Sequence, residues 1–575
     1  MKKQKESRLL TTGFEPKDPR DIPFSDYPRP ALRRDSYFCL NGTWKFSVEK
    51  EAETLYSGKI TVPFPPESRL SGVERITAPE ETLVYQRAFS LPAGFIRGRV
   101  ILHVGAADQK AAVFLNGSPL GSHEGGYLPF SFDITPYLKE ENTLIVRIKD
   151  DLDHALPYGK QTLAPGGMWY TGVSGIWQTV WLESVPEDAI EGIRVETKRD
   201  CARITVTGGK SRKRLLLQEE GAAREFVFAG ESLTIRFPSP HNWSPEDPFL
   251  YRFTLVSGED RVESYFALRT VTCETRENKT LLCLNGKPYY FHGLLDQGYF
   301  PDGIFLPGSV EGYRKDILTA KACGFNMLRK HIKLEPQIFY YLCDCLGMAV
   351  FQDFINTGEY HFLRDTVLPN VGIKRGIRGR VSIEAKNGFL TTAKGIQDVL
   401  FHHPSVVYYT IFNEGWGQFE ADTCYDLFRK RDPSRIYDST SGWFWEEKSD
   451  VKSEHIYFKK VRLTPEAGKP FVLSEFGGYS CAVSGHTFRD KGGYGYRFFG
   501  KIEDFRKALL TLYRKEILPL MKEGLCATVL TQISDVEEEI NGLMTYDRRI
   551  LKADVCEMKE MANTLQKEFL RSFPR

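Results

Sequence analysis

Apolar and polar residues alternate in short runs through the first half of this chain, and the second half turns to nearly unbroken apolar runs. "RVILHVGAAD", "KAAVFLNGSPLG" and "ENTLIVRIKD" read as half-buried strands, and the "LNGSPLG" between two of them has the composition of a hairpin turn. Helical periodicity is nearly absent before residue 184. With aromatics such as Trp44, Trp169 and Trp177 set among strands and turns, residues 1–184 are expected to form a jelly-roll β-sandwich. From 185 to 274 six shorter strand candidates follow, from "AIEGIRVET" to "VESYFALRTV". Their size and spacing predict an immunoglobulin-like β-sandwich without its Cys–Trp–Cys pattern.

After residue 275 short apolar runs alternate with helical stretches. Eight strand candidates are legible, among them "PYYFHGL", "FNMLRKH", "MAVFQDF", "VVYYTIFNE", "EHIYF" and "PFVLSEFG". Ser309 and Gly324 bracket a helix between the first two as cap and stop. Eight near-equal repeats over 275–575 predict a C-terminal (β/α)8 TIM barrel in preference to a doubly wound sheet. The fold class is therefore multidomain α and β, with two sandwiches preceding the barrel.

Composition narrows the function classes. The 575 residues are 41% hydrophobic and 26% charged, with a formal net charge of +2. That balance gives no footprint for nucleic acid or an acidic membrane surface. No run approaches the ~20 apolar residues of a spanning helix, and the opening lysines are not followed by the apolar stretch that export requires. A cytoplasmic location is expected, with eleven scattered cysteines as free thiols. Cys343 and Cys345 sit at a helical spacing that does not make them face each other, so they read as packing residues, and so does His402-His403 before Pro404.

In a barrel of this type chemistry belongs at the C-terminal ends of the strands. The fourth candidate ends on Asn413-Glu414 and the seventh on Ser474-Glu475; the second ends on Arg329-Lys330-His331, the third near Asp353, and the sixth carries His455 and Tyr457. Two strand-end glutamates across a barrel mouth are what a retaining glycosidase needs, their carboxyls about 5–5.5 Å apart. Gly415 and Gly417 permit a sharp exit after Glu414, and Trp416 is expected to wall the pocket.

At this point the chain resembles glycoside hydrolase family 2, the group of the β-galactosidases, β-glucuronidases and β-mannosidases. "VFLNGSPLGSHEGGYLPFSFDIT" and "GVSGIWQTVWLE" resemble its amino-terminal sugar-binding domain, "WSPEDPFLY" the tail of its immunoglobulin-like domain, and "HPSVVYYTIFNE" and "PFVLSEFGG" its two catalytic segments. The resemblance implies Glu414 as general acid/base and Glu475 as nucleophile. It also implies Arg329 and Asn413 as holders of the nucleophile and the sugar's 2-hydroxyl, and Tyr457 as a hydrogen-bond donor to the nucleophile.

Substrate identity lies in the departures. The family's glucuronidases carry an Asn-x-Lys element after strand eight; here the region reads "SDVEEEINGLMTYDRR", and its acidic run Glu537–Glu539 is a poor carboxylate receptor, readable also as a solvated loop. Strand eight offers Thr531, Gln532 and Asp535 where many relatives place a tryptophan. Trp443 is a candidate aromatic platform, and His331 and Asp296 are candidate sugar contacts. No carboxylate cluster suggests a required metal, and no cofactor is expected. The reading is an exo-acting retaining β-glycosidase acting on an oligosaccharide or glycoside with a terminal neutral sugar, β-galactoside first. β-Glucuronidase and β-mannosidase are alternatives, and a non-catalytic carbohydrate-binding protein is the alternative of another class. A phosphate-processing barrel is disfavoured because Glu475 would repel phosphate. Assembly into a homo-oligomer and a lid or interface role for residues 356–388 stay open.

Overall fold

Side-chain alternation along Arg99–Val104 and Lys110–Leu115 buries every second residue, and this pattern builds the amino-terminal sandwich. The computed structural model describes residues 10–574 apart from 16–17, 19–20, 52, 220–221, 277, 374–378 and 490–491. The reading of the first nine residues, and part of that of 356–388, thus lies outside the described residues. A six-stranded antiparallel sheet packs on a four-stranded one formed by Tyr37–Cys39, Val180–Val185, Arg99–Val104 and Phe130–Asp133. Trp44, Phe46, Tyr85 and Val146 lie in the core between them. A second sandwich of three and four strands spans Ile190 to Phe266 and has its own core around Phe253 and Leu255. The hairpin Val271–Arg276 and Lys279–Leu284 straddles the expected boundary at 274, and its Val271 and Leu281 join the barrel's core.

Eight parallel strands follow: β1 (Phe291–Asp296), β2 (Met327–Lys330), β3 (Ala349–Asp353), β4 (Val406–Asn413), β5 (Ile436–Ser441), β6 (Lys452–Ile456), β7 (Phe471–Gly477) and β8 (Leu525–Thr531). They pair in the order β5-β4-β3-β2-β1-β8-β7-β6, a barrel nearly closed between β5 and β6. All eight residues of β4 and all seven of β7 are buried, as strands covered on both faces must be. Six helices of ten or more residues occur among the described residues, labelled α1 (Val310–Ala322), α2 (Gln337–Leu346), α3 (Ile383–Leu400), α4 (Ala421–Arg431), α5 (Ile502–Leu512) and α6 (Val555–Ser572).

The expected eight strand–helix repeats are therefore incomplete, because β5–β6 and β6–β7 are joined without a helix of that length. The first of these connections spends its apolar residues, Trp443 and Phe444, inside the barrel mouth. The hairpin reaches that side of the barrel, with Cys273 Sγ 3.6 Å from the Asp450 carbonyl. Ser309 occupies the cap position of α1 with extended backbone, but its side chain makes no capping bond. Ser382 and Asp554 do cap α3 and α6. Cys343 is buried on α2, and the His402 and His403 rings bond the Tyr265 carbonyl and Asp344, so both pairs are structural.

Candidate active site

The site is organised around one buried arginine on β2. Arg329 is 1% exposed, and it donates from Nε to Asp353 at 2.9 Å and from Nη2 to the Asn413 side chain at 2.9 Å. Its Nη1 donates to Glu475 Oε1 at 3.0 Å and to the Ser474 carbonyl at 2.9 Å. The last bond follows from local strand geometry. Glu454 pairs with Leu473 and His455 with Glu475, so Ser474 is an extra residue in β7. A bulge of this kind re-aims side chains and frees a backbone group from the ladder. Here it turns Glu475 to the mouth and gives Arg329 a carbonyl to bind. A buried guanidinium needs this many acceptors to offset its desolvation.

Glu475 receives a second donor on its other oxygen: the Tyr457 hydroxyl bonds Oε2 and lies 3.0 Å from Thr531 Oγ1. Asp353 also bonds His331 Nδ1 at 2.7 Å. Although burial raises it, Arg329 and His331 hold the Asp353 carboxyl down to about 2. His331 thus stands in the site, oriented from behind by Asp353.

Glu414 follows β4 with φ of 54°, and the next residue, Gly415, has φ of 74°. A Cβ on Gly415 would lie 2.2 Å from the Phe444 ring, so the exit from the strand requires glycine there. Burial raises the Glu414 carboxyl above its ordinary range, while the charges of Lys160, His331 and Arg329 pull it back. His455, on β6, touches both glutamates, with Nδ1 2.8 Å from Glu414 Oε1 and 3.5 Å from Glu475 Oε2. Its Nε2 faces Arg329 Nη1 at 3.3 Å and the Ser441 hydroxyl at 3.0 Å. Arginine can only donate, so Nε2 accepts and the ring proton sits on Nδ1, directed at Glu414. Burial pushes the imidazole down to about 3, which keeps it neutral. Ligand atoms of Glu414, His455 and Glu475 all lie within 4.8 Å of one another, a spacing that suits two carboxylates flanking one bond.

Several expected contacts fall elsewhere. Asp296 has one oxygen on Lys330 Nζ at 3.0 Å and the other on the Gly298 N–H at 2.9 Å, so it is a structural carboxylate rather than a sugar ligand. Trp443 is 2% exposed, and its indole N–H bonds the Glu414 carbonyl at 3.0 Å and the Asp365 carbonyl at 3.2 Å. It holds the backbone of Glu414 and offers no open platform. Trp416 is buried too, edge-on to Tyr158, Trp169 and Tyr360, so it anchors the loop to the amino-terminal sandwich instead of walling the pocket. The acidic run is not a solvated loop. Glu537 accepts from the Thr171 N–H at 2.9 Å, Glu538 from the Gly167 N–H at 3.1 Å, and Glu539 from the Tyr170 hydroxyl and Asn541 Nδ2. Each of these bonds except the last ties the loop after β8 to the amino-terminal sandwich.

Sequence reasoning passed over Lys160, and gave no role to Asp353 and His455, although both lie on strands it identified. Nothing near Lys160 in the chain signals a role in a barrel more than a hundred residues away.

A sandwich–sandwich–barrel chain with paired strand-end glutamates is a carbohydrate-active architecture, and the comparisons agree. Residues 71–186 match the family model described as "Glycosyl hydrolases family 2, sugar binding domain". The β-galactosidase of Thermoanaerobacter pseudethanolicus is 27% identical over 296 residues, covering 47% of this chain and 39% of that protein. The β-glucuronidase of Felis catus is 26% identical over 318 residues, covering 48% of each. The chain thus spans less than half the length of these curated relatives. The structure of a β-D-glucuronidase from Dictyoglomus thermophilum superposes with a TM-score of 0.72 at 18% identity, covering 93% of this chain and 98% of that one. A family 2 β-galacturonidase from Eisenbergiella tayi gives 0.67 at 20% identity, covering 94% and 98%. Residues 71–186 thus match the sugar-binding domain of glycoside hydrolase family 2, and the chain as a whole shares the fold of these solved structures.

Proposed function

We propose that the protein is an exo-acting, retaining β-glycosidase that works by double displacement. The observation that carries this reading is the Glu414–His455–Glu475 cluster, in which one carboxylate has donors on both oxygens and the other is raised by burial. Glu475 attacks the anomeric carbon as Glu414 delivers its proton to the departing oxygen. With Oε1 of Glu414 occupied by the His455 N–H, Oε2 is the oxygen that carries that proton. The glycosyl ester on Glu475 loses the negative charge that faced Glu414, whose proton affinity then falls. Glu414 next takes a proton from water, and the resulting attack releases the sugar with its anomeric configuration retained.

Asn413 is fixed through its oxygen by Arg329, which leaves its amide nitrogen to donate to a sugar hydroxyl. Trp169 and Tyr170 of the sandwich stand beside the mouth, which supports removal of terminal residues rather than cleavage within a chain. Two readings of the sugar stand. Relatives named β-galactosidase support a neutral hexose. The cationic residue considered next favours a uronic acid, as do the neighbours named glucuronidase and galacturonidase.

A panel of aryl β-glycosides, neutral and uronic, tests the reading with Glu475→Gln alongside. Cleavage of one class, abolished in Glu475→Gln, is expected. Binding of sugar with no turnover of any member would support a non-catalytic carbohydrate-binding protein.

A further inference from the structure

Lys160 belongs to the amino-terminal sandwich, yet its charge acts on the catalytic centre. It precedes the two-residue strand Gln161–Thr162, which pairs with Tyr170–Thr171. Its carbonyl accepts from the Tyr170 N–H at 3.0 Å. The preceding Gly159 lies so close to the barrel that a Cβ there would be 2.8 Å from the Ile332 carbonyl, next to His331. The following Gln161 donates to Asp108 and Tyr127 in the sandwich. The backbone around Lys160 is thus held from both sides.

The side chain is in an unusual electrostatic position. Lys160 is 8% exposed, and among the described residues no carboxylate approaches its ammonium within ion-pair distance. Among the described residues its ammonium has the Trp169 ring as a close partner, 5.6 Å from Nζ to the centroid. Its positive charge pulls down the Glu414 and Glu539 carboxyls, which burial raises, and the His331 imidazole. Glu539 is already committed, with the Tyr170 hydroxyl on one oxygen and Asn541 on the other. Two buried lysines of the barrel are matched directly, whereas Lys213 of the middle sandwich has, among the described residues, only the Gly209 carbonyl. Lys330 has Asp296 and Glu335 at 3.0 and 2.6 Å, and Lys552 has Asp535 at 2.6 Å. Cation–ring attraction is weaker than a charge-assisted hydrogen bond, so this ammonium keeps its capacity to pair with an anion. A ligand that brings its own carboxylate to this corner would supply one.

We propose that Lys160 is the residue that reads the glycone, pairing with the carboxylate of a terminal uronic acid. This inference rests on the glycosidase reading above and names its substrate class. It replaces the expectation, drawn from the acidic run alone, that a carboxylate would be repelled here. The carboxylates of that run are engaged by donors of the sandwich, and the cation comes from the sandwich too.

The test compares matched pairs, galacturonide with galactoside and glucuronide with glucoside, in the full chain carrying Lys160→Met or Lys160→Arg. For the unmodified protein kcat/KM is expected to favour one uronide over its neutral partner. Lys160→Met should lower that preference by about 100-fold, as loss of one partner of a buried ion pair does, with Lys160→Arg keeping most of it. Calorimetric titration with free galacturonate, glucuronate and their hexoses runs in parallel. If no glycoside is cleaved, the glycosidase reading falls, and tighter uronate binding that Lys160→Met removes still upholds Lys160. Preference for the neutral sugar overturns the inference and leaves the glycosidase reading intact. So does an equal loss on both members of a pair, which marks Lys160 as a modulator of Glu414. In the absence of turnover, uronate binding no tighter than hexose binding also overturns it.

Discussion

Arg329 carries more of the site than either glutamate, because one side chain fixes Asp353, Asn413, Ser474 and Glu475 together. The glutamates differ in what surrounds them, and the proposed division of labour rests on that difference. Glu414→Gln removes the proton donor, so kcat/KM for a glycoside with a poor leaving group should fall by about 10²–10⁴-fold. A dinitrophenyl glycoside, whose leaving group needs no proton, should lose far less. Steady-state kinetics on the two substrates checks this, and equal losses would remove Glu414 from the acid role. His455 acts through Glu414: its Nδ1–H favours the ionised carboxylate and so lowers the pH at which the acid is lost. In His455→Leu that support disappears, and the alkaline limb of the kcat/KM profile should move upward by about one pH unit. A limb that stays in place would mean that the contact is only structural.

At the scale of elements, the loop after β8 and the rim of the sandwich act as a latch. Burial raises the Glu537 carboxyl to about 7, and Glu539 shifts in the same direction for the same cause. A carboxyl whose folded value lies above its unfolded value binds its proton more tightly in the folded state. Its contribution to stability is present at low pH and is lost as pH rises from the ordinary carboxylate range through about 7. Glu537→Gln keeps an acceptor for the Thr171 N–H and removes the titration. Its melting temperature should fall less than that of the parent between pH 5 and pH 8, by about 2–4 °C, in thermal scans across that range. Parallel curves would show that Glu537 is charged at both ends of the range. The aromatic knot of Trp416, Trp169, Tyr158 and Tyr360 secures the same junction. Trp416→Ala should cost about 3–5 kcal/mol in denaturant unfolding, since it empties a large buried site.

Across the whole molecule, the amino-terminal sandwich keeps a core between its own sheets and adds a second set of apolar residues to the core of the barrel. Tyr127, Tyr158, Tyr170 and Trp177 of the first lie in the same cluster as Phe305 and Trp416 of the second. The middle sandwich keeps a cluster of its own. Calorimetry should therefore show the first sandwich and the barrel unfolding in one transition, and any separate transition should belong to the middle sandwich; a first sandwich that melts independently would contradict this. The shared core also explains which features were legible in the sequence. Strands and barrel ends follow local period and strand-end chemistry, so Glu414, Glu475, Arg329 and Tyr457 could be placed on strand ends without coordinates. What Asp296, Trp443 and Trp416 touch depends on partners distant in the chain, and all three turned out to be structural. The bonding of the acidic run was hidden for the same reason, since its donors lie about 370 residues away in the first sandwich. Lys160 was invisible because only folding brings it to Glu414.

The central claim is that Glu475 forms a covalent glycosyl ester, and trapping measures it most directly. The protein would be incubated with an activated 2-deoxy-2-fluoro glycoside of the sugar it cleaves, then digested and mapped by mass spectrometry. One glycosyl unit on Glu475, in the peptide containing "PFVLSEFGG", is the result expected here. Turnover that releases the inverted anomer with no adduct, or an adduct on another carboxylate, would contradict it.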